Sequence, residues 1–444
     1  MRNYLHGILQ LAILTTFFMV PWWFRPTWLP PQPYVFGFLI IIPVAIALIA
    51  WITLGFPGLA AASRDSRRWW IYFGCLLLGW VFLSVLWAEH KPDAFNAACQ
   101  LAGAMLFTLV ATCAGPSARR VTVALAVSII FQGMIAIGQT QLQHPVGLSA
   151  LGEIQVSSSQ VFSTLVSGND TWLRPYGLTV HPNILGGFFA AALLAMIGWL
   201  TERGLGRGRF AIRLGIAALG FWALCLTFSR SAWGGFVVGL IVVAVWWWRL
   251  GTVKFPRRRL MLIVGASLML ISAFGLTYPQ FVAARTGTGD ESHELRSITD
   301  RELFLNITAQ VVTRYPILGV GMGNFPLVAD DIIKSGPYRG WISGDNVHNI
   351  HLLALSELGI VGFALWLLVW GAGFASAIRT VRDPFAIALV GGTVTLLAVG
   401  MLDHYPWSIF HLALLMWAGL GIALNPRPGL LAATRNIRDT HEQE

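Results

Sequence analysis

The chain has 444 residues, of which 56% are hydrophobic and only 11% charged, with a formal net charge of +10. Soluble domains are about 45–50% apolar and about 25% charged, so this composition excludes an ordinary soluble enzyme, a disordered chain and a secreted disulfide scaffold. It leaves an all-α polytopic membrane protein, in which the excess of positive charge follows from the bias of cytoplasmic loops toward Lys and Arg and calls for no nucleic acid.

In chain order, apolar runs of spanning length fall near 5–24, 34–55, 69–87, 94–114, 121–140, 183–200, 212–229, 232–249, 260–278, 350–378, 384–402 and 406–424, about twelve in all. The first run follows Arg2 without a small-x-small cleavage site and is expected to remain as a retained span. The run at 350–378 is long enough to begin outside the lipid or to tilt. Twenty of the 30 Lys and Arg residues fall on the side that holds the N-terminus. They include Arg64, Arg67 and Arg68, Arg119 and Arg120, and the Arg257–Arg259 cluster. Both termini are therefore expected in the cytoplasm. Cys75, Cys99, Cys113 and Cys225 lie inside apolar runs without zinc-like spacing and read as small buried apolar residues.

The expected organisation has four parts. Residues 1–278 hold the first nine spans and an outer loop at about 141–182; 279–349 form a large outer loop with helices; 350–424 hold the last three spans; 425–444 are a cytoplasmic tail. The large loop carries a helical stretch from Arg296 to Tyr315, then breaks at Pro316 and Gly319-Val-Gly-Met-Gly-Asn-Phe325. No strand precedes these glycines, so they read as a tight turn and not as a nucleotide-binding loop.

Charged groups at a hydrocarbon boundary are costly and mark function. Four stretches on the outer side stand out. Arg174-Pro-Tyr-Gly-Leu-Thr-Val-His-Pro-Asn183 leads into a span, with Pro182 and Asn183 suited to starting the helix. Thr227-Phe-Ser-Arg-Ser-Ala-Trp233 joins two spans through a very short turn, so Arg230 should face an anion or an acidic partner. Arg301 lies on the helical stretch of the large loop, with Asp300 and Glu302 as local company. Asp345-Asn-Val-His348-Asn349-Ile-His351 opens the long apolar helix. His348 and His351 are spaced i, i+3, but no further ligand follows at metal-binding spacing, so no metal and no cofactor are expected. Several arginines and a histidine on one membrane face suit transfer from a diphosphate-linked lipid. Arginine forks neutralise the leaving diphosphate, and histidine takes a proton from the attacking hydroxyl.

His348-Asn349, nine residues, then Gly359-Ile-Val-Gly362 resembles the H-[NSQ]-x9-G-x2-[GTY] signature of bacterial O-antigen ligases. Pro316-Ile-Leu-Gly-Val-Gly-Met-Gly-Asn-Phe325 is similar to the P-x-x-G-x-G-x-G-x-F run of the O-antigen ligase/polymerase superfamily. Arg174-x2-Gly177 with Pro182-Asn183, and Ser229-Arg230-Ser231, resemble its two upstream arginine motifs. By motif the resemblance covers about 174–362.

The resemblance implies a GT-C-like, metal-independent glycosyltransferase with a periplasmic cap. Such a ligase moves O-antigen polysaccharide from undecaprenyl diphosphate to a sugar of lipid A–core, on the periplasmic face of the inner membrane. His348 is then the base and Arg230 and Arg301 the diphosphate ligands, with Arg174 a weaker candidate for that role. Asn349 supports the base. Asp403, before His404 and Pro406, orients an arginine or His348. With one base and no second carboxylate placed as a nucleophile, the displacement inverts the anomeric configuration. The alternatives are an O-antigen polymerase and a protein O-oligosaccharyltransferase, the latter expected to carry a C-terminal domain beyond the last span. A polysaccharide transporter is more remote, since it needs a polar path along the spans.

Overall fold

A computed structural model describes residues 1–25, 38–154, 163–167, 170–202, 204–251, 257–286, 292–336 and 344–425. The expected tail beyond 425 and the start of the second expected span lie outside them. The described residues are 76% helical. In order come α1 (Arg2–Met19), α2 (Ile41–Thr53), α3 (Leu59–Ala62), α4 (Arg68–Ser84), α5 (Lys91–Ala114) and α6 (Ala118–Leu142). A hairpin of β1 (Thr164–Ser167) and β2 (Asp170–Leu173) follows, then α7 (Pro182–Leu200), α8 (Arg207–Leu226), α9 (Arg230–Leu250) and α10 (Arg257–Thr277). The last stretch holds α11 (Pro279–Thr286), α12 (Ser292–Arg314), α13 (Phe325–Ser335), α14 (Ile350–Thr380), α15 (Pro384–Val399), α16 (Tyr405–Ser408) and α17 (Phe410–Ala423).

Each of the twelve apolar runs carries a helix. Seven of these helices are long and apolar enough to cross a membrane, and α2, α4, α15 and α17 are shorter apolar helices. The all-α expectation needs one amendment. The loop after α6 contains the β1–β2 hairpin, antiparallel with Leu165 opposite Trp172, because Trp172 packs beside Tyr278 and Phe281. The cysteine expectation also needs correcting. Cys225 is buried, but Cys75 is exposed and Cys99 and Cys113 are intermediate, since the outside of a membrane bundle is itself apolar.

Helices that are apolar all round sit in the middle. α7, α15 and α17 are buried on nearly every face, whereas α10 buries only Phe274. α9 lies antiparallel against α15 at glycines. A Cβ on Gly239 would stand 2.1 Å from Thr395 Oγ1 and 2.8 Å from the Gly391 carbonyl, so small residues alone permit this backbone approach. The contact brings the first turn of α9 level with the residues that follow α15.

The run that begins at Ile350 is not one straight helix. Gly359 adopts φ 65°, ψ −173° and breaks α14 into a short first arm and a long second arm. The bend is sharp enough for Trp366 Nε1 in the second arm to donate to His351 Nδ1 in the first, at 3.2 Å. At the opposite end of the bundle some of the arginines are paired: Arg213 and Arg119 share Glu202 at 2.5 and 2.7 Å.

Candidate active site

Three helix N-termini converge at one end of the bundle, those of α7, α9 and α14. Each carries a side-chain cap. His181 Nδ1 accepts from Asn183 N, Ser229 Oγ from Ala232 N, and Asn349 Oδ1 from His351 N and Leu352 N. Each terminus carries the partial positive charge of its helix dipole. Gly186 on α7 lies so close to Ser229 that an added Cβ would sit 3.0 Å from the serine Cβ. Ile350 N donates to the Gly400 carbonyl at 2.7 Å, and Asn349 Nδ2 to Met401 O at 3.2 Å. Asn349 is therefore first a cap and a brace that sets where His348 stands.

Arg174 is buried. Its guanidinium donates through Nε to Thr227 O and through Nη1 to Ser163 Oγ, both at 2.7 Å, and through Nη2 to Asn183 Oδ1. Because His181 caps α7, the Asn183 side chain is released for this arginine. The Thr227 carbonyl belongs to the tight α8–α9 turn, where Phe228 takes a left-handed φ of 49°, a strained position for a residue with a side chain. Phe228 is fully buried against Phe274, Tyr278 and Trp233. The loop that presents Arg174 is held from inside α6. Gln139 Oε1 accepts from Tyr176 N and Gly177 N at 2.9 and 2.8 Å, and Gln132 Oε1 accepts from Leu178 N at 2.9 Å.

Ser231 in the first turn of α9 donates to Asp403 Oδ2, and Ser229 Oγ lies 3.2 Å from Ser231 Oγ. Asp403 is fully buried. Tyr405 stands beside it; burial and then the Asp403 charge push the phenol well above its usual range. The His348 ring meets His404 edge to face, with centroids 5.4 Å apart. Burial pulls His404 down to about 4, with the neighbouring His348 also lowering it and Asp345 and Asp403 opposing. Burial, then the charges of Arg174, His404 and His348, take His181 down to about 3. Both rings are thus neutral at ordinary pH. His348 Nδ1 is buried with no hydrogen-bond partner among the described residues.

Arg230 leads α9, and its Nη1 donates to the Arg285 carbonyl on α11 at 3.3 Å. The Arg285 charge is felt at both Arg174 and His181. The structure therefore brings together Arg174, Arg230, Asp403 and His348, and adds Arg285, His181, His404, Tyr405 and Ser231. Arg301 is partly buried on α12, and among the described residues no hydrogen bond or ion pair joins it to this cluster. His351, instead of pairing with His348, faces back to Trp366. In the sequence Arg285 is one basic residue on the side with fewer of them, and His404 is simply the neighbour of Asp403, with no local signal that marks Tyr405.

The two sequence runs around Gly319 and Gly359 meet. Val320 N and Gly321 N donate to the carbonyls of Ser356 and Glu357 at 3.0 and 2.9 Å, and Ile360 N donates to Pro316 O at 2.9 Å. A Cβ on Gly359 would lie 2.0 Å from the Ile317 carbonyl. The glycine run is a turn, as expected, and its left-handed glycines serve this docking. A cavity of about 570 Å³ opens beside the turn, lined by Trp87, Arg314, Ile317 and Val320 among others, and contains none of the clustered residues. No group of three or more His, Cys, Asp or Glu residues arranged to hold a metal ion occurs among the described residues.

Residues 215–367, about a third of the chain, match the family model described as O-Antigen ligase. The matched segment contains Arg230, Arg285, Arg301, the glycine turn and His348, but not Arg174 or Asp403. The chain matches no curated protein.

Proposed function

We propose that the protein transfers O-antigen polysaccharide from undecaprenyl diphosphate to a sugar hydroxyl of lipid A–core, on the periplasmic face of the bacterial inner membrane, a reading supported by the match of residues 215–367 to the O-Antigen ligase family model. In this reading His348 takes the proton of the acceptor hydroxyl. The new bond forms between that oxygen and the anomeric carbon as the bond to the diphosphate oxygen breaks, with inversion. Arg230 and Arg301 hold the diphosphate, joined by Arg285, and the converging helix N-termini add positive potential where negative charge grows. Arg174 shapes the wall behind them, and Asp403 fixes Ser231 and Tyr405.

One observation carries the reading. His348 has a buried ring nitrogen with no partner among the described residues, just ahead of the capped α14, and its ring meets His404, in the cluster that holds Arg174, Arg230 and Arg285. That arrangement suits a base next to an anionic leaving group. The distribution of Lys and Arg supports cytoplasmic termini and a periplasmic site.

The test is purified protein with lipid-linked glycan and lipid A–core, with and without EDTA. A shifted lipopolysaccharide ladder, insensitive to EDTA and abolished in His348→Ala, is the expected result. A product that retains the anomeric configuration, or glycan that elongates without lipid A–core, overturns this assignment; the second outcome identifies a polymerase.

A further inference from the structure

Glu357 is a fully buried carboxylate in the first arm of α14. Trp407 Nε1, on α16, donates to its Oε2 at 2.9 Å. The backbone N–H groups of Gly323 and Phe325, at the end of the glycine turn, are also directed at it. One carboxylate thus joins three separate pieces: the bent helix, the glycine turn and α16. The arm that carries Glu357 also carries His348 at its other end, immediately before the Asn349 cap. α16 follows directly on His404, whose ring meets His348. The two walls of the candidate site are therefore pinned to each other at two points. Near His348 the pins are the Ile350–Gly400 and Asn349–Met401 hydrogen bonds. At the far end of the arm the pin is Glu357 to Trp407. A helix held at one end alone can swing, and a displacement of about 1 Å at a reacting group costs roughly a hundredfold in rate.

We infer that Glu357 is a positioning residue which, through Trp407, sets the spacing between His348 and the His404–Tyr405 wall; this rests on the functional reading above only in naming the reaction that the spacing serves. Carboxylate chemistry is needed because three N–H donors converge on the group. A glutamine at the same place would turn its own N–H₂ toward one of them.

The experiment compares wild type with Glu357→Gln, Trp407→Phe and the double variant in glycan transfer to lipid A–core. Each single variant is expected to lose roughly tenfold to a hundredfold in kcat with donor KM unchanged and with a lowered melting temperature that still leaves the protein folded in the assay, and the double variant to lose no more than the worse single one. Full kcat, or losses that multiply in the double variant, overturns the inference. If Glu357→Gln does not fold, Trp407→Phe, which removes one donor, carries the comparison. A second readout does not need turnover: labelling of His404 by diethyl pyrocarbonate, followed by mass spectrometry, is expected to speed up in each variant. An unchanged labelling rate also overturns the inference. If wild type transfers no glycan, the functional reading fails while the labelling still decides the positioning.

Discussion

Ser231 and Asp403, 172 positions apart, are joined by a hydrogen bond from the serine hydroxyl to the carboxylate. The bond exists because α9 and α15 approach at Gly239 and Gly391, which bring the start of one helix beside the residues that follow the other. Asp403 is buried without a cation at hydrogen-bond distance among the described residues, so its few donors matter. Removing a donor from a buried acceptor costs about 1–3 kcal/mol.

Gly239→Val should therefore act at a distance. Its side chain would enter Thr395 and the Gly391 carbonyl, and overpacking of this kind costs roughly 1–3 kcal/mol. The expected outcome is a lower melting temperature together with a loss of transfer greater than the loss of folded protein, because Ser231 is moved from Asp403. Wild-type activity in Gly239→Val would show that the Ser231–Asp403 bond is dispensable.

Arg174→Ala separates a strut from a ligand. The arginine holds Thr227, Ser163 and Asn183 together, and leaving such buried acceptors unsatisfied costs about 1–3 kcal/mol each at most. We expect a marked fall in thermal stability, only partly restored by Arg174→Lys, which lacks the planar fork. A variant with unchanged melting and only a raised donor KM would instead make Arg174 a diphosphate ligand.

The histidines give stability a pH dependence with a definite sign. His404 is lowered to about 4 from an ordinary value of 6.5. The unfolded chain therefore binds the proton that the folded one refuses between these two values. Stability from neutral His404 is fully present above pH 6.5 and falls by up to about 1.4 kcal/mol per pH unit as the pH drops toward 4. Denaturation midpoints across that window should slope less in His404→Asn than in wild type. Parallel slopes would remove His404 from the account.

Gly359→Ala tests the bend. With φ 65° and ψ −173°, Gly359 occupies a region that is essentially closed to other residues, at a cost of order 1–3 kcal/mol, and the new Cβ would meet the Ile317 carbonyl at 2.0 Å. The variant should lose folded protein or activity outright. Gly371→Ala in the same helix, with nothing within 4 Å, is the control and should melt no lower, since alanine favours a helix interior by roughly 0.5–1 kcal/mol. Equal behaviour of the two would mean that α14 can straighten without loss.

Twelve apolar runs, the helix in the large loop and the glycine turn could be read in the sequence because each rests on local composition or period. The bend at Gly359 could not. The run around it is long and mostly apolar, with no proline to mark a break, and the cause is a partner turn some 40 residues earlier along the chain. Nor did the spans betray their polar content. Gln132 and Gln139 sit within an apolar helix, and their need for partners is answered by a loop far along the chain. Pro182 opens α7, as its place in the sequence implies, but the Asn183 side chain serves another end. His181 took the cap, and Asn183 became the arginine's partner. His348 and Arg230 stand out in the sequence because charge near hydrocarbon is rare, whereas Asp403 is marked only by the family resemblance. Arg285 carries no such mark, since a lone arginine in an outer loop looks like any other.

The 172-residue reach from Ser231 to Asp403 also orders events during synthesis. At about 5–20 residues per second, α9 leaves the ribosome roughly 10–30 seconds before its partner exists. During that interval the first turn of α9 has no acid to hold it, and the short arm that bears His348 has no Gly400 carbonyl to anchor it. The centre is thus closed by the α15–α17 segment, so a nascent chain stalled before α15 carries every arginine of the cluster but lacks the Asp403 and Gly400 contacts that fix Ser231 and the start of α14.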